Sequence, residues 1–165
     1  MAQQDQLQPS LLDRLTDEEP QKKEESRDRR VMSLRRLRDA VMRDLAWLLN
    51  TDDLSCTEDL EAYPMIAQST LNYGRPPMAG HTLSRADAKT VERSLHRSIC
   101  NFEPRITAST LKVRAILSDE KMNANALAFD IEGQLWAQPA PLRLMLRTQV
   151  DLETGDVTVS DRGSG

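Results

Sequence analysis

The run from residue 84 to residue 118 limits the fold more than any other part of the chain, because a helical pattern there gives way to a strand pattern at one rigid corner. Its first residue, a serine, is suited to cap the helix. The apolar face of this helix comprises Leu83, Ala88, Val91, Leu95 and Ile99. Pro104 lacks an amide hydrogen and disfavours helical geometry in the residue before it, so the helix must end there. From Leu111 onwards apolar residues alternate, which predicts a strand as far as residue 118.

Two further helices are predicted before this run. A long helix begins at Ser26 or Ser33 and ends at Asn50. Its apolar stripe, at spacings of three and four residues, comprises Leu34, Leu37, Val41, Leu45 and Leu48. A short helix is expected over residues 60–70, with Pro64 in its first turn.

The C-terminal part of the chain has the alternation of antiparallel strands. Residues 127–131 form a second strand, and residues 132–134 are expected to turn the chain. The inward face of the longest strand comprises Leu142, Leu144, Leu146, Thr148, Val150 and Leu152. A tight turn at residues 153–156 leads into a short last strand that contains Val157 and Val159. Helices followed by an antiparallel sheet predict an α+β fold.

The length of 165 residues is ordinary for one domain, to which an arm and a tail are added here. We assign a flexible arm to residues 1–25, the domain to residues 26–160 and a polar tail to residues 161–165. Inside the arm, residues 10–15 form one helical turn with three leucines, followed by a charged segment at residues 17–30. The turn can pack on its own domain, or it can dock in the groove of a partner at the end of a flexible tether. We expect docking to a partner.

The charge balance bears on nucleic-acid binding. The long helix carries a basic face of Arg29, Arg30, Arg35, Arg36, Arg38 and Arg43. A small nucleic-acid-binding regulator is the alternative function that this face suggests. Acidic residues interleave with the arginines, no aromatic residue is placed to stack on bases, and the net charge is −4. We therefore favour a solvated or protein-binding face.

No cofactor or metal is expected from the sequence. Cys56 and Cys100 lack the Cys-x-x-Cys spacing, and His81 and His96 form no ligand cluster. The chain shows neither the apolar core of a secretory signal nor an apolar run near the ~18 residues of a membrane span. With reduced thiols, these features predict a cytoplasmic protein.

Several segments together resemble one protein family. Residues 99–106, which contain Glu103-Pro104-Arg105, and then residues 111–113, resemble the Glu-Pro-Arg core of the small wedge proteins of contractile injection baseplates. This family includes the wedge protein of contractile phage tails, whose relatives have carried the label lysozyme, and TssE, the wedge subunit of type VI secretion systems. Residues 10–15, 71–74 and 135–139 resemble the TssE branch.

The resemblance implies a structural subunit of a type VI secretion baseplate. Its partners would be TssF and TssG in the wedge and the first ring of contractile sheath subunits. It would act in the cytoplasm, beneath the inner-membrane complex. The N-terminal leucine-arginine motif of the family, which contacts the wedge core, corresponds to Leu11, Leu12, Arg14 and Leu15.

Catalysis is not expected, but it must be considered because phage relatives of the family have carried the label lysozyme. A glycosidase needs two carboxyl groups about 5–9.5 Å apart, one with a raised pKa. Glu103 is the marked candidate, and a nearby Arg105 would lower its pKa. The two residues can form an internal ion pair that fixes the corner, or offer charge-assisted hydrogen bonds to a neighbouring subunit. We predict that Glu103, Pro104 and Arg105 bind a partner.

The last strand is the second predicted contact. Sheath subunits of contractile machines exchange strands with their neighbours, so the resemblance implies that their first ring needs a template. A short terminal strand offers unpaired N–H and C=O groups to an added strand. We predict this role for Val157 and Val159; the alternative is that their hairpin only closes the sheet of the domain.

Overall fold

The structure is a computed structural model and describes residues 9–16, 21, 32–78, 85–116, 126–137 and 140–163. Within these ranges the helices are α1 Leu11–Leu15, α2 Leu34–Leu49, α3 Pro64–Ala67 and α4 Arg85–Phe102. The strands are β1 Lys112–Ile116, β2 Ala126–Leu135, β3 Leu142–Asp151 and β4 Val157–Asp161. The helices precede the sheet, which confirms the α+β fold.

The long helix α2 begins at the second of the two predicted positions. The Ser33 hydroxyl accepts a hydrogen bond from the amide of Arg36, so it caps the first turn. The buried stripe comprises Leu37, Ala40, Val41, Leu45, Leu48 and Leu49. Leu34 was predicted to belong to this stripe, but it lies exposed in the first turn.

The sheet has the order β1-β2-β3-β4, and each neighbouring pair is antiparallel. Its inner face packs against the helices, with α4 along β1 and α2 along β4. The fully buried residues on that face include Phe129, Ile131, Leu135, Leu144, Leu146 and Val150. The alternation predicted for β3 is confirmed, because its buried residues are spaced by two.

The predicted turn at residues 132–134 is wrong, because β2 continues to Leu135. Gly133 lies inside the strand and pairs with Leu144. A Cβ on Gly133 would come within 3.0 Å of the Ile106 side chain. The absence of a side chain at Gly133 therefore lets the segment after α4 pack closely against the sheet. In the sequence, a glycine with this role resembles a turn residue.

The remaining boundaries differ in detail from those predicted. The short helix spans only Pro64–Ala67, with Pro64 at its first position as expected. A 3-10 turn at Thr70–Asn72 follows it. The turn between β3 and β4 is confirmed, since the amide of Gly155 donates to the carbonyl of Asp151 at 2.8 Å. The predicted helix cap Ser84 and the end of the first strand at residues 117–118 lie outside the described residues.

Candidate partner-binding site

The corner after α4 is organised by an internal ion pair. Glu103 is only 3% exposed, and its carboxylate accepts from the backbone amide of Arg105 at 3.1 Å and from Nε of Arg105 at 2.6 Å. Nη2 of Arg105 donates to the second carboxylate oxygen. Pro104, between the two residues, is exposed. The sequence left two roles possible for Glu103 and Arg105, and the structure contains the first of them, the internal ion pair.

The same guanidinium also joins the corner to α2. Nη2 of Arg105 donates to Oδ2 of Asp44 at 2.6 Å. Burial alone would lower the pKa of Arg105, but hydrogen bonds and charge from Glu103 and Asp44 outweigh it and raise the pKa. Arg105 therefore stays charged between two carboxylates and holds the end of α4 against the middle of α2.

A second arginine extends this cluster to α1. Nη1 of Arg43 donates to Oδ1 of Asp13 at 2.6 Å, and its Nε donates to Asp44 at 2.9 Å. Ser10 caps the α1 turn by accepting from the amide of Asp13 at 3.3 Å. Burial alone would raise the pKa of Asp13, but hydrogen bonds from Arg43 and Ser10 more than offset it and keep the pKa below its usual value. The α1 turn is thus docked on its own domain.

The charged side chains border a cleft of about 440 Å³ between α1, α2 and the corner. Its apolar wall includes Leu12, Trp47, Tyr73, Phe102 and Pro104. The rings of Tyr73 and Phe102 meet edge to face, with centroids 5.3 Å apart. Burial raises the pKa of Tyr73, and the nearby Asp44 and Glu103 add to this effect. Tyr73 therefore anchors its loop on the core.

The predicted docking motif is divided between two environments. Leu12 faces the cleft, whereas Leu11 and Leu15 are 70% and 74% exposed. Arg14 is also exposed. The structure therefore brings Leu12 to the Glu103–Arg105 corner and leaves the other three motif residues on the outer surface of α1.

Sequence reasoning did not identify four residues of this site. No role was assigned to Asp13, Asp44 or Trp47 from the sequence, and Arg43 was placed only on the basic face of the long helix. Arg43 lies over the Trp47 ring, 5.1 Å from its centroid. No local pattern could have grouped these residues with the corner, because Asp44 and Arg105 are 61 residues apart.

The predicted template strand, β4, lies at the edge of the described sheet. The amide of Val157 donates to Oδ1 of Asn50 at 2.8 Å, and Nδ2 of Asn50 donates to the carbonyl of Val157 at 2.8 Å. At the other end of β4, Arg38 pairs with Asp161 at 3.3 Å. Val159 lies between these contacts and turns its backbone groups to the same side as Val157, since that orientation repeats every two residues.

The arginine face of α2 is largely paired with acids. Arg38 contacts Asp161, Arg43 contacts Asp13 and Asp44, and a weak pair at 4.0 Å joins Arg35 to Asp39. Arg29 and Arg30 of the predicted face lie outside the described residues. The described arginines therefore serve mainly to join elements of the chain.

The described residues contain no group of three or more histidine, cysteine or acidic side chains placed to hold a metal ion. Sγ of Cys100 lies 3.7 Å from Nδ1 of His96, one turn earlier on α4, and burial raises the pKa of this thiol. None of the described helices is both long enough and apolar enough to cross a membrane.

Comparison with known proteins identifies the family of the chain. A search of curated proteins finds no match to the chain. The family model described as baseplate wedge protein gp25 matches residues 35–140, which is more than half of the chain. The match includes α2 from its second residue, the corner at Glu103–Arg105 and β2, so it contains the centre of the site. The chain therefore belongs to the baseplate wedge protein gp25 family.

Proposed function

We propose that this chain is a non-catalytic, TssE-type wedge subunit of a type VI secretion baseplate. Membership of the baseplate wedge family gives it a structural role among other baseplate subunits. One observation supports the more specific proposal of a TssE-type wedge subunit. It is the set of ion pairs that joins α1, α2 and the Glu103–Arg105 corner. It supports a rigid platform that presents a leucine motif to a partner.

The platform would act through the outer surface of α1. The buried carboxylate of Glu103 fixes Arg105, Arg105 fixes Asp44, and Arg43 then holds Asp13 of the turn. With α1 held in this way, Leu11, Arg14 and Leu15 form a small apolar and basic surface. We propose that this surface and the exposed Pro104 meet TssF and TssG in the wedge.

The edge of β4 would serve the contractile sheath. A strand added there would pair with outward-facing backbone groups, beginning at Val159. Asn50 already binds both groups at Val157. Pairing along the whole of β4 would therefore require the Asn50 side chain to leave Val157. Until it does, Asn50 blocks strand addition at that end of the edge.

Two observations support a non-catalytic role. A general acid must reach its substrate, whereas Glu103 is buried and both of its carboxylate oxygens accept from Arg105. The second carboxylate, Asp44, accepts from the same guanidinium. The structure does not favour the nucleic-acid alternative, because Arg38 and Arg43 are paired with carboxylates.

We further propose that the protein works in the cytoplasm, in a baseplate associated with the inner-membrane complex. Its domain would span residues 26–160, with the arm at residues 1–25 and the tail at residues 161–165. The described strand β4 ends at Asp161, next to the proposed boundary of the tail.

Co-purification tests this function directly. Tagged chain is produced with TssF and TssG, and the complex is isolated at low and at raised salt. We expect a wedge complex that survives raised salt, because apolar docking is little affected by screening while exposed ion pairs are weakened. The matched control is Leu34→Ala, an exposed leucine on α2 away from the motif. Failure of the folded protein to join TssF and TssG at either salt concentration would contradict the proposal.

A further inference from the structure

A second surface lies on the lobe at residues 53–74, between α2 and α4, and the proposed function does not use it. The ends of the lobe meet at its base. The amide of Arg75 donates to the carbonyl of Thr51, and the amide of Asp53 donates to the carbonyl of Arg75, both at 2.9 Å. Long connections of this kind between helices are frequently functional in compact domains.

The base of the lobe is held by buried Arg75. Its Nε donates to the carbonyl of Leu49 at 2.6 Å, and its Nη2 donates to the carbonyl of Gly155 at 2.7 Å. Gly74 has a φ of 140°, and a Cβ there would lie 2.6 Å from the carbonyl oxygen of Thr51. The lobe is thus anchored to the end of α2 and to the β3–β4 turn, so its outer residues stand on a fixed base.

The lobe exposes three large apolar side chains. Tyr63, Met65 and Leu71 are 58%, 82% and 71% exposed, and they lie on or beside two short helical turns. The amide Nδ2 of Asn72 donates to the carbonyl of Ala67 at 3.1 Å, so the second turn is tied to the first. Tyrosine and methionine are enriched in protein interfaces, and exposed apolar groups of this size commonly mark contact sites.

The charged residues within the lobe all have one sign. Residues 45–74 contain no lysine or arginine, and their acidic residues are Asp52, Asp53, Glu58, Asp59 and Glu61. Asp52 pairs with Arg75, and Asp53 accepts from Ser55. Glu58, Asp59 and Glu61 are exposed beside α3, and no ion pair joins them to another described residue. These three carboxylates shortly precede Tyr63 and Met65 in the chain, and they form the acidic rim of the proposed surface.

We propose that this lobe docks a basic amphipathic segment of a protein partner. Lysine or arginine side chains of such a segment would meet the carboxylate rim, and its apolar side chains would cover Tyr63, Met65 and Leu71. Nucleic acids and anionic membranes carry the same sign of charge as the rim and would be repelled. The inference uses none of the residues assigned to α1, the Glu103–Arg105 corner or β4, so it stands apart from the proposed baseplate role.

The test uses two synthetic probes with the purified full chain. One is a fluorescent amphipathic peptide of leucine and lysine, and the other replaces each lysine with glutamate. Fluorescence anisotropy should show that the lysine peptide binds and that raised salt weakens its binding. The triple change Tyr63→Ser, Met65→Ser and Leu71→Ser should weaken binding at least about tenfold. The rim change Glu58→Gln, Asp59→Asn and Glu61→Gln should also weaken binding, and mainly at low salt.

Matched controls separate the lobe from the rest of the surface. Leu34→Ser with Trp136→Ser alters exposed apolar residues elsewhere, and Asp39→Asn with Glu132→Gln alters acids on α2 and β2 whose side chains are 65% and 40% exposed. Both controls should bind the lysine peptide like the unchanged chain. Circular dichroism confirms that each variant is folded. The proposal is overturned if the lysine peptide fails to bind, if the glutamate peptide binds as well, or if the folded lobe variants bind it normally.

Discussion

The side-chain amide of Asn50 bonds both backbone polar groups of Val157, accepting from its N–H and donating to its C=O, each at 2.8 Å. Asn50 is also the C-cap residue of α2, and its Nδ2 donates to the carbonyl of Ala46 at 2.7 Å. One side chain therefore ends a helix and covers the start of an edge strand. Covering edge groups in this way prevents unwanted strand pairing.

The first prediction concerns this cover. Asn50→Ala should expose the Val157 amide to solvent and lower the free energy of unfolding by about 1–3 kcal/mol, because the bonds of both edge groups are lost. Asn50→Asp keeps the acceptor for the Val157 amide and should preserve much of its protection. Hydrogen exchange at Val157, followed by NMR, checks both. Unchanged protection in Asn50→Ala would mean that another group covers this edge.

The second prediction concerns the sheath template. Val159→Pro removes a donor at the part of the edge between the Asn50 and Arg38 contacts, so wedges should form while sheath polymerisation stops. Val157→Pro is the matched comparison, and it should also destabilise the fold because it breaks the hydrogen bond to Asn50. Sheath growth on purified wedges is the measurement. Normal growth on a folded Val159→Pro wedge would place the template elsewhere.

The third prediction concerns the arm. Replacing Leu11, Leu12 and Leu15 with alanine should weaken wedge assembly while the free energy of unfolding changes by less than about 1 kcal/mol, since all three side chains are at least 45% exposed. Leu34→Ala provides the matched control. Thermal unfolding and co-purification are measured together. A large loss of stability would show that the turn serves its own domain instead of a partner.

The fourth prediction concerns Arg105. Arg105→Met keeps most of the side-chain length but leaves Glu103 and Asp44 without their shared cation, so the free energy of unfolding should fall by about 3–5 kcal/mol. Arg43→Met removes a more exposed cation and should cost about 1 kcal/mol or less. Urea unfolding measures the free energy of unfolding of both variants. Equal losses of stability in the two variants would contradict the central role of Arg105 in the cluster.

The charge-swapped double variant Glu103→Arg with Arg105→Glu provides a second test of the corner. It would place a glutamate beside Asp44, so it should lose both stability and wedge binding. Unchanged wedge assembly in this variant would count against an interface role. Neither the native chain nor this variant should hydrolyse peptidoglycan, and activity that disappears in Glu103→Gln would overturn the non-catalytic proposal.

The fifth prediction concerns pH. The pKa of Asp13 is below its usual value, so its carboxylate helps to dock α1 above the unfolded-state pKa of about 3.9. This contribution is lost as the pH falls through the folded-state pKa. We expect α1 to stay docked from neutral pH down to about pH 4 and to release below it. Fluorescence of Trp47 follows the release, and Asp13→Asn should lack the acid step; an identical step in that variant would contradict the assignment.

Local patterns in the sequence determined the order and type of the main elements. Ser33 and Pro104 mark helix ends through hydrogen-bond chemistry that acts within one turn. The alternation along β3 placed its buried face correctly, because neighbouring side chains of a strand point to opposite sides. Both signals need only a few adjacent residues, so they can be recognised without knowledge of the fold.

Packing between distant parts of the chain decided the site. The residues that form its contacts are far apart in the sequence. Asp13 and Arg43 are separated by 30 residues, Asp44 and Arg105 by 61, and Asn50 and Val157 by 107. Each contact depends on how α2 lies against the sheet and the corner, and no periodicity in the sequence encodes that placement. For the same reason only the structure shows that the leucine turn lies against its own domain, where Asp13 forms a part-buried ion pair with Arg43.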